Sequence, residues 1–240
     1  GTVHYADGIN GKLTKDADSA QGKIVYSTGD VFEGSLKGIV REGKGTITYK
    51  NGDTYAGDFA ADKLTGEAVF TAASGATYTG SVVDGKPDGK GKYVFADGSY
   101  YYGEWKDGKR NGVGEEHYPD GSYYYGAFAD DKRTGSAEIT VTLENGMVYT
   151  GKNKFAFSNG DTYVGDYLGG KRNGSGKYTW ASGQSYDGAW VNDVMEGNGT
   201  YDFGNGKAPY VGTFAGGQIA ESTDTVQTPE TPAATADTAA

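Results

Sequence analysis

A chain of 240 residues with 42 glycines, 20 tyrosines, 5 prolines and no cysteine carries 22 Lys plus Arg against 32 Asp plus Glu, a formal net charge of −10. That balance argues against a nucleic-acid partner, which needs dense cationic surface, and the missing thiols exclude disulfides and thiolate metal sites. No run approaches the ~18 apolar residues of a membrane span, the chain begins at Gly1 without a charged, apolar leader, and a cysteine-free sequence fits a reducing or an oxidising compartment, with a lean towards export.

One phrase, Tyr-x-Gly or its equivalent, sets the order of elements. Its Gly falls at Gly11, Gly34, Gly57, Gly80, Gly103, Gly126, Gly151, Gly165, Gly188 and Gly212. Steps of 23 residues run from Gly11 to Gly126, followed by steps of 25, 14, 23 and 24. Bulky residues close most phrases, from Leu13, Leu36, Phe59 and Val82 to Trp105, Phe128, Tyr167, Trp190 and Phe214. A Gly-x-Gly or Gly-x-Ala element follows most of them, as at Gly43/Gly45, Gly66/Ala68, Gly89/Gly91, Gly174/Gly176 and Gly197/Gly199. Beyond it come alternating apolar pairs such as Ile24/Tyr26, Ile47/Tyr49, Tyr93/Phe95, Tyr178/Trp180 and Tyr201/Phe203, and alternation at period 2 predicts strands. Turn dipeptides such as Asn51-Gly52, Asp97-Gly98 and Asn159-Gly160 then lead into the next phrase, a hairpin signal because Gly accepts positive φ.

Each unit thus reads as strand, loop, strand, turn. The fold class expected is all-β: an elongated single-layer antiparallel meander of hairpin repeats, twisted as a solenoid, in which aromatic packing stands in for a second layer. Gly1 aligns with the second Gly of a Gly-x-Gly element, Val3 and Tyr5 with the inward pair and Asp7-Gly8 with the turn, so the sequence opens inside a unit. The short interval in "ENGMVYTGKNKFAFSNGDTYVG", residues 144–165, puts Asn153 in the place of a second Gly and Phe155/Phe157 at the inward positions. Its outer loop reads as lost, with a longer "ITVTL" strand just before it. The domains expected are a first array at 1–148, a second at 149–217, and a disordered acidic Thr/Ala/Pro tail at 218–240.

The phrases "YYGEWKDGKRNGVG" from Tyr101 to Gly114 and "YVGDYLGGKRNGSG" from Tyr163 to Gly176 resemble the MORN (membrane occupation and recognition nexus) repeat family. The resemblance runs over roughly residues 1–217, and eight or nine phrases in register make it specific. It implies antiparallel sheets with one hairpin per repeat, and scaffolding, self-association or, in some members, acidic-phospholipid binding. Catalytic domains that accompany such repeats elsewhere, lipid kinases and a SET-type lysine methyltransferase, have no counterpart in this sequence. Ala68, Ala137 and Val82 depart from the family phrase.

Two sets of residues are candidates for binding. The aromatic ladder of Tyr101, Trp105, Tyr124, Phe128, Tyr163, Tyr167, Trp180, Tyr186 and Trp190 suits a peptide, a glycan or a second copy of the chain. Packing within the repeat is the weightier role for these rings, so ladder members left uncovered are the binding candidates. Tyr100, Tyr102, Tyr123 and Tyr125 fall on the opposite face, as surplus aromatics available to form a contact patch. The alternative is a basic loop edge, Lys86, Lys109, Arg110, Lys132, Arg133, Lys171 and Arg172, for anionic phospholipid. Asp84, Asp107, Asp130 and Asp131 neutralise much of it, and the short interval is expected to interrupt it between Arg133 and Lys171.

Catalysis is poorly supplied. His4 and His117 are the two histidines, in distant units, which do not make a zinc site. No nucleophile elbow accompanies the serines, no helix follows the Gly-x-Gly elements as a dinucleotide site needs, and the Asx-Gly turns lack calcium-loop spacing. No catalytic residue, metal or cofactor is expected. The leading expectation is a non-enzymatic scaffold for protein–protein interaction or self-association. Peripheral binding to anionic membranes and glycan binding by the aromatic face are the alternatives.

Overall fold

The computed structural model describes residues 2–4, 10–15, 20–220 and 234–235, and among them every regular element is a strand. Tyr5, the Asp7-Gly8 turn and the expected tail, apart from Gln218–Ala220, Ala234 and Thr235, lie outside the described residues. The chain divides into two compact units, Gly1–Lys109 and Arg110–Ala240. In the first, β1 (Thr2–His4), β2 (Asn10–Lys15), β3 (Gln21–Tyr26), β4 (Val31–Lys37), β5 (Val40–Thr48), β6 (Thr54–Ala60), β7 (Lys63–Thr71), β8 (Thr77–Val83), β9 (Lys86–Val94) and β10 (Tyr100–Lys106) pair each with the next, antiparallel. The second holds β11 (Lys109–His117), β12 (Tyr123–Ala129), β13 (Lys132–Thr134), β14 (Ile139–Thr142), β15 (Val148–Gly151), β16 (Lys154–Ala156), β17 (Thr162–Leu168), β18 (Lys171–Thr179), β19 (Ser185–Val191), β20 (Val194–Asp202), β21 (Tyr210–Ala215) and β22 (Gln218–Ile219).

The repeated phrase makes one repeated piece of geometry. Gly165 faces Gly176 across β17 and β18, and a Cβ on either would run into the opposite backbone or the Tyr163 ring. With no Cβ there, Tyr163 lies over the glycine pair and donates its hydroxyl to Asp166 O at 3.0 Å. Tyr78, Tyr101 and Tyr186 repeat the bond to Ser81, Glu104 and Ala189 carbonyls at 2.7, 2.9 and 2.8 Å. Register shifts just past the glycine in several phrase strands, as at Gly80/Val82, Gly165/Tyr167 and Gly188/Trp190, and there the phenol satisfies a carbonyl that the ladder leaves open.

Both kinds of turn are tight. At the inner end Gly52 N donates to Tyr49 O at 2.9 Å with Gly52 at φ 93°, while Asn51 Oδ1 accepts from Asp53 N at 3.0 Å. At the outer end two positive-φ residues turn the chain, as at Ala61/Asp62 and Asp84/Gly85, the primed geometry that matches strand twist. The segments at 84–89, 107–112, 130–135 and 169–174 are therefore two-residue turns running directly into strands, and not the long loops expected from the sequence.

Unit 2 contains an insertion that corrects the reading of the short interval. β12 pairs at one end with β13 (Phe128↔Arg133, Ala127↔Thr134) and at the other with β16 (Tyr124↔Phe155, Tyr125↔Lys154). Asn153 stitches the two halves into one composite strand: its Oδ1 accepts from Ala127 N at 2.9 Å and its Nδ2 donates to Thr134 O and Gly135 O at 2.9 and 2.8 Å. On the far side Gly135 bridges Tyr167 and β16 pairs β17. No outer loop is lost. The 39 residues from Gly126 to Gly165 are one step of 23 plus 16 inserted residues, 137–152. These residues carry β14 and β15, which form a separate two-stranded sheet. A domain boundary at 148/149 would cut that hairpin, because Thr142 pairs with Val148 and Val141 with Tyr149. The repeats also run past 217, since Ile219 pairs with Phe214 and is buried.

Candidate functional site

The ladder rings are core. Tyr101, Tyr124, Tyr163 and Tyr186 are fully buried, and Phe128, Tyr167, Trp180 and Trp190 nearly so; Trp105 is half-buried. Most pack edge-on against another ladder ring, as in Tyr163–Trp190 at 5.4 Å and Tyr124–Tyr167 at 5.4 Å between centroids. Trp105 and Trp190 spend their indole N–H on Gly91 O and Gly176 O at 3.1 and 2.9 Å. No open groove of ring faces remains along these residues, apart from the partly exposed Trp105.

The basic edge splits by residue type. Lys86, Lys109, Lys132 and Lys171 are exposed, whereas Arg133 and Arg172 are buried and Arg110 is half-buried. Because each Lys-Arg pair lies on a strand, successive side chains take opposite faces. Arg41, Arg110 and Arg172 make one recurring clamp: each backbone N–H donates to the carboxylate of Asp62, Asp131 or Asp193 at 2.9 Å. Their guanidinium carbons lie 5.4, 5.4 and 4.7 Å from the rings of Phe59, Phe128 and Trp190. The arginines are thus internal cations stacked on aromatic rings, which removes Arg133 and Arg172 from any surface row. Nor does the insertion separate Arg133 from the outer turn before Lys171, since Gly170 N donates to Arg133 O at 2.9 Å.

Next to the clamp of unit 2 lies a buried network absent from the sequence reading. Glu116 accepts from Arg110, from Arg133 Nε at 2.9 Å and from Tyr118 at 3.0 Å, and Arg133 Nη2 donates to Tyr118 Oη at 2.7 Å. Arg133 also stacks on Tyr124 and Phe155 at 4.8 and 4.7 Å. Burial first, and then the Glu116 charge, drive the Tyr118 phenol well above its ordinary range.

The inserted hairpin lies over the opposite face of the sheet. β14 packs across β12, Val141 and Leu143 are buried, and Glu144 N donates to the buried Glu115 carboxylate. Glu115 also shares a 2.8 Å hydrogen bond with His117 Nε2. The surplus tyrosines meet here: Tyr123 stacks on Tyr125 at 4.6 Å and on His117 at 5.7 Å, Lys154 Nζ sits 5.5 Å over Tyr123, and Tyr125 meets Tyr149 at 5.5 Å. Tyr100 and Tyr102 in unit 1 are instead covered by Lys92 and Lys90 at 4.3 and 4.8 Å. At the hairpin tip Met147 and Val148 are 63% and 61% exposed. Two exposed apolar side chains at the tip of a hairpin whose Tyr149 joins the aromatic cluster have the composition of an interface centre. Sequence reading found the tyrosines through their period. It missed Met147 and Val148, which follow no period.

Residues 32–54, 55–77, 78–100, 101–123, 163–185 and 186–208 match the MORN repeat family, and the unmatched 124–162 contains the insertion. No curated protein matches the chain. Among solved structures, it is similar to the Drosophila melanogaster SAS-4 (dCPAP) TCP domain in complex with a proline-rich motif of Ana2 (dSTIL), at 14% identity over 85% of this chain and 97% of that one, TM-score 0.40. It is also similar to the TCP10 domain of Danio rerio CPAP, at 14% identity over 89% of this chain and 99% of that one, TM-score 0.30.

Proposed function

The chain belongs to the MORN repeat family, whose repeats are scaffolds for protein or membrane interaction, and from that premise we propose a non-enzymatic scaffold that binds a protein through the hairpin inserted at 137–152. The observation that carries this reading is the exposed Met147–Val148 pair on the one element that interrupts the matched repeats, beside the Tyr123–Tyr125–Tyr149 cluster. Sixteen extra residues held by the Glu144 amide on the buried Glu115 carboxylate present an apolar tip that the repeat lattice itself does not need. A protein surface suits it because an exposed apolar tip gains affinity from area removed from water. The membrane alternative loses support from the inward-turned arginines.

A photocrosslinking residue at position 147, with the same residue at the still more exposed position 211 as control, tests the reading. Discrete polypeptide adducts from position 147 alone, whether to a second copy or to another protein, are expected. Phospholipid adducts, or the same adducts from both positions, would overturn it.

A further inference from the structure

Beyond the last strand, Thr235 touches unit 2 through three polar contacts. Its backbone N–H donates to Tyr178 Oη at 2.9 Å, its hydroxyl donates to Asp161 Oδ2 at 3.0 Å, and Asn159 Nδ2 donates to Thr235 Oγ1 at 3.2 Å. The amide hydrogen, hydroxyl hydrogen and hydroxyl lone pair of one residue are each matched by a partner of the right kind.

The partners are fixed before Thr235 arrives. Asp161 and Tyr178 are buried, and the phenol donates to the carboxylate at 2.5 Å. The other carboxylate oxygen accepts from Ala181 N at 2.9 Å, and Asp161 N donates to Asn159 Oδ1 at 2.9 Å. Burial works hardest against the Asp161 charge, but bonds from Tyr178, Ala181, Thr235 and Asn159 together outweigh it and hold the carboxyl below its usual range. Burial first, then Asp161, pushes the Tyr178 phenol up to about 12. At neutral pH the proton therefore stays on Tyr178 and the charge on Asp161, which leaves a phenol lone pair to accept the Thr235 amide.

Ordinary repeats have half of this arrangement. Asp30 and Asp53 accept from Lys50 N and Ala73 N at 2.9 and 2.8 Å as Asp161 does from Ala181 N. Their other oxygens turn to local partners, Thr28 and Asn51, as Asp161 Oδ2 also does to Asn159 Nδ2 at 3.1 Å. Tyr178 stands 17 residues after Asp161, whereas the positions equivalent to it hold Ile47 and Phe70, which have no hydroxyl. The extra phenol turns a turn-stabilising aspartate into a recognition pair.

We propose that Asn159, Asp161 and Tyr178 form a seat for a threonine-bearing peptide, and that this chain's own Thr235 is its intramolecular occupant. The seat deepens the protein-interaction reading by naming a class of peptide, but it involves no residue of the hairpin. Its chemistry selects a neutral hydroxyl: valine has no donor for Asp161, and an aspartate or phosphothreonine would set like charge against it. An attached segment competes at an effective concentration on the order of mM, so an external peptide meets an occupied site.

The test uses the full chain and a fluorescein-labelled peptide of residues 231–238, TPAATADT. Thr235→Val is expected to raise the affinity for the peptide at least about tenfold over the unaltered chain by vacating the seat, while Thr235→Ser leaves it unchanged. In the Thr235→Val background, Tyr178→Phe keeps the ring, verified by unchanged tryptophan fluorescence, and lowers peptide affinity about tenfold by removing a hydrogen bond at a charged site. Equal peptide affinity for all these chains, or no saturable binding to the Thr235→Val chain, would overturn the seat. Such a result with position-147 crosslinks intact removes the seat alone; lost crosslinks with peptide binding intact remove the hairpin reading alone.

Discussion

Unit 1 and unit 2 share one lattice and fill it differently. In unit 1 the space beside the Arg41–Asp62 clamp is an open groove of about 540 Å³, lined by Tyr26, Ile47, Tyr49 and Leu64. The same register in unit 2 holds Glu116 and Arg133 next to the Arg110–Asp131 clamp, joined by a buried ion pair. It recurs beside the Arg172–Asp193 clamp with Tyr178, Met195 and the docked Thr235. Glycine pairs, tyrosine caps and arginine clamps thus set the backbone, and two side chains per repeat decide whether a groove stays open, is sealed by charge or recognises a peptide.

The largest expected effect breaks the sealed version. Arg133→Met leaves Glu116 buried with one cation fewer and should destabilise unit 2 by about 3 kcal/mol, while Leu64→Met at the matching place in unit 1 changes stability by less than about 1.5 kcal/mol. Urea unfolding read through hydrogen exchange in each unit checks both. Next come changes that strike the shared lattice. Gly45→Ala and Gly176→Ala, whose new methyls would meet the Phe32 and Tyr163 rings, should destabilise their units alike, by about 2 kcal/mol. Unequal losses would show that the lattice is not common to both.

Smaller effects separate the open groove from the seat. Tyr178→Phe should cost about 1–2 kcal/mol through the lost bond to Asp161, and Ile47→Leu in unit 1 less than about 1.5 kcal/mol; thermal unfolding of each variant supplies the comparison. The pH response is the finest probe. Asp161 has a lowered folded value, so its contribution is complete above the unfolded carboxylate range near ~4 and fades as pH falls through the folded value. Tyr178 has a raised value of about 12, so its contribution is complete below the unfolded value near ~10 and fades as pH rises towards 12. Protection of the Thr235 amide should follow both limits, whereas amides lining the Ile47 groove, where burial raises the Tyr49 phenol, should follow an alkaline limit set by Tyr49.

Strands, turns and the glycine lattice were legible in the sequence because each depends on contacts within one 23-residue step. The insertion was not. Tyr149-x-Gly151 obeys the local rule completely, with the Tyr149 hydroxyl donating to Lys152 O at 2.6 Å, yet the partner that defines the repeat, Asn153 continuing from Gly135, is set by pairing across the sheet. The arginines were misassigned for a related reason: a tight turn leaves Lys and Arg alternating across a strand, where a loop would have exposed both. Asp161 and Tyr178 were readable in principle, since the other units compared that carry an aspartate in the place of Asp161, those of Asp30 and Asp53, have Ile47 and Phe70 where Tyr178 stands. The aromatic ladder was visible, and its burial follows from the same period that revealed it.

Deleting residues 137–152 tests the central claim most directly, because it joins Gly135-Ser136 to Asn153 and makes a regular repeat of the interrupted one. The account predicts a folded chain, with unit 2 amides protected as before outside the deleted hairpin and its contacts, that no longer competes for the polypeptides crosslinked at position 147 in the unaltered chain. A chain that unfolds in unit 2 would contradict the register, and a folded chain that still competes for those polypeptides would contradict the hairpin as the binding element.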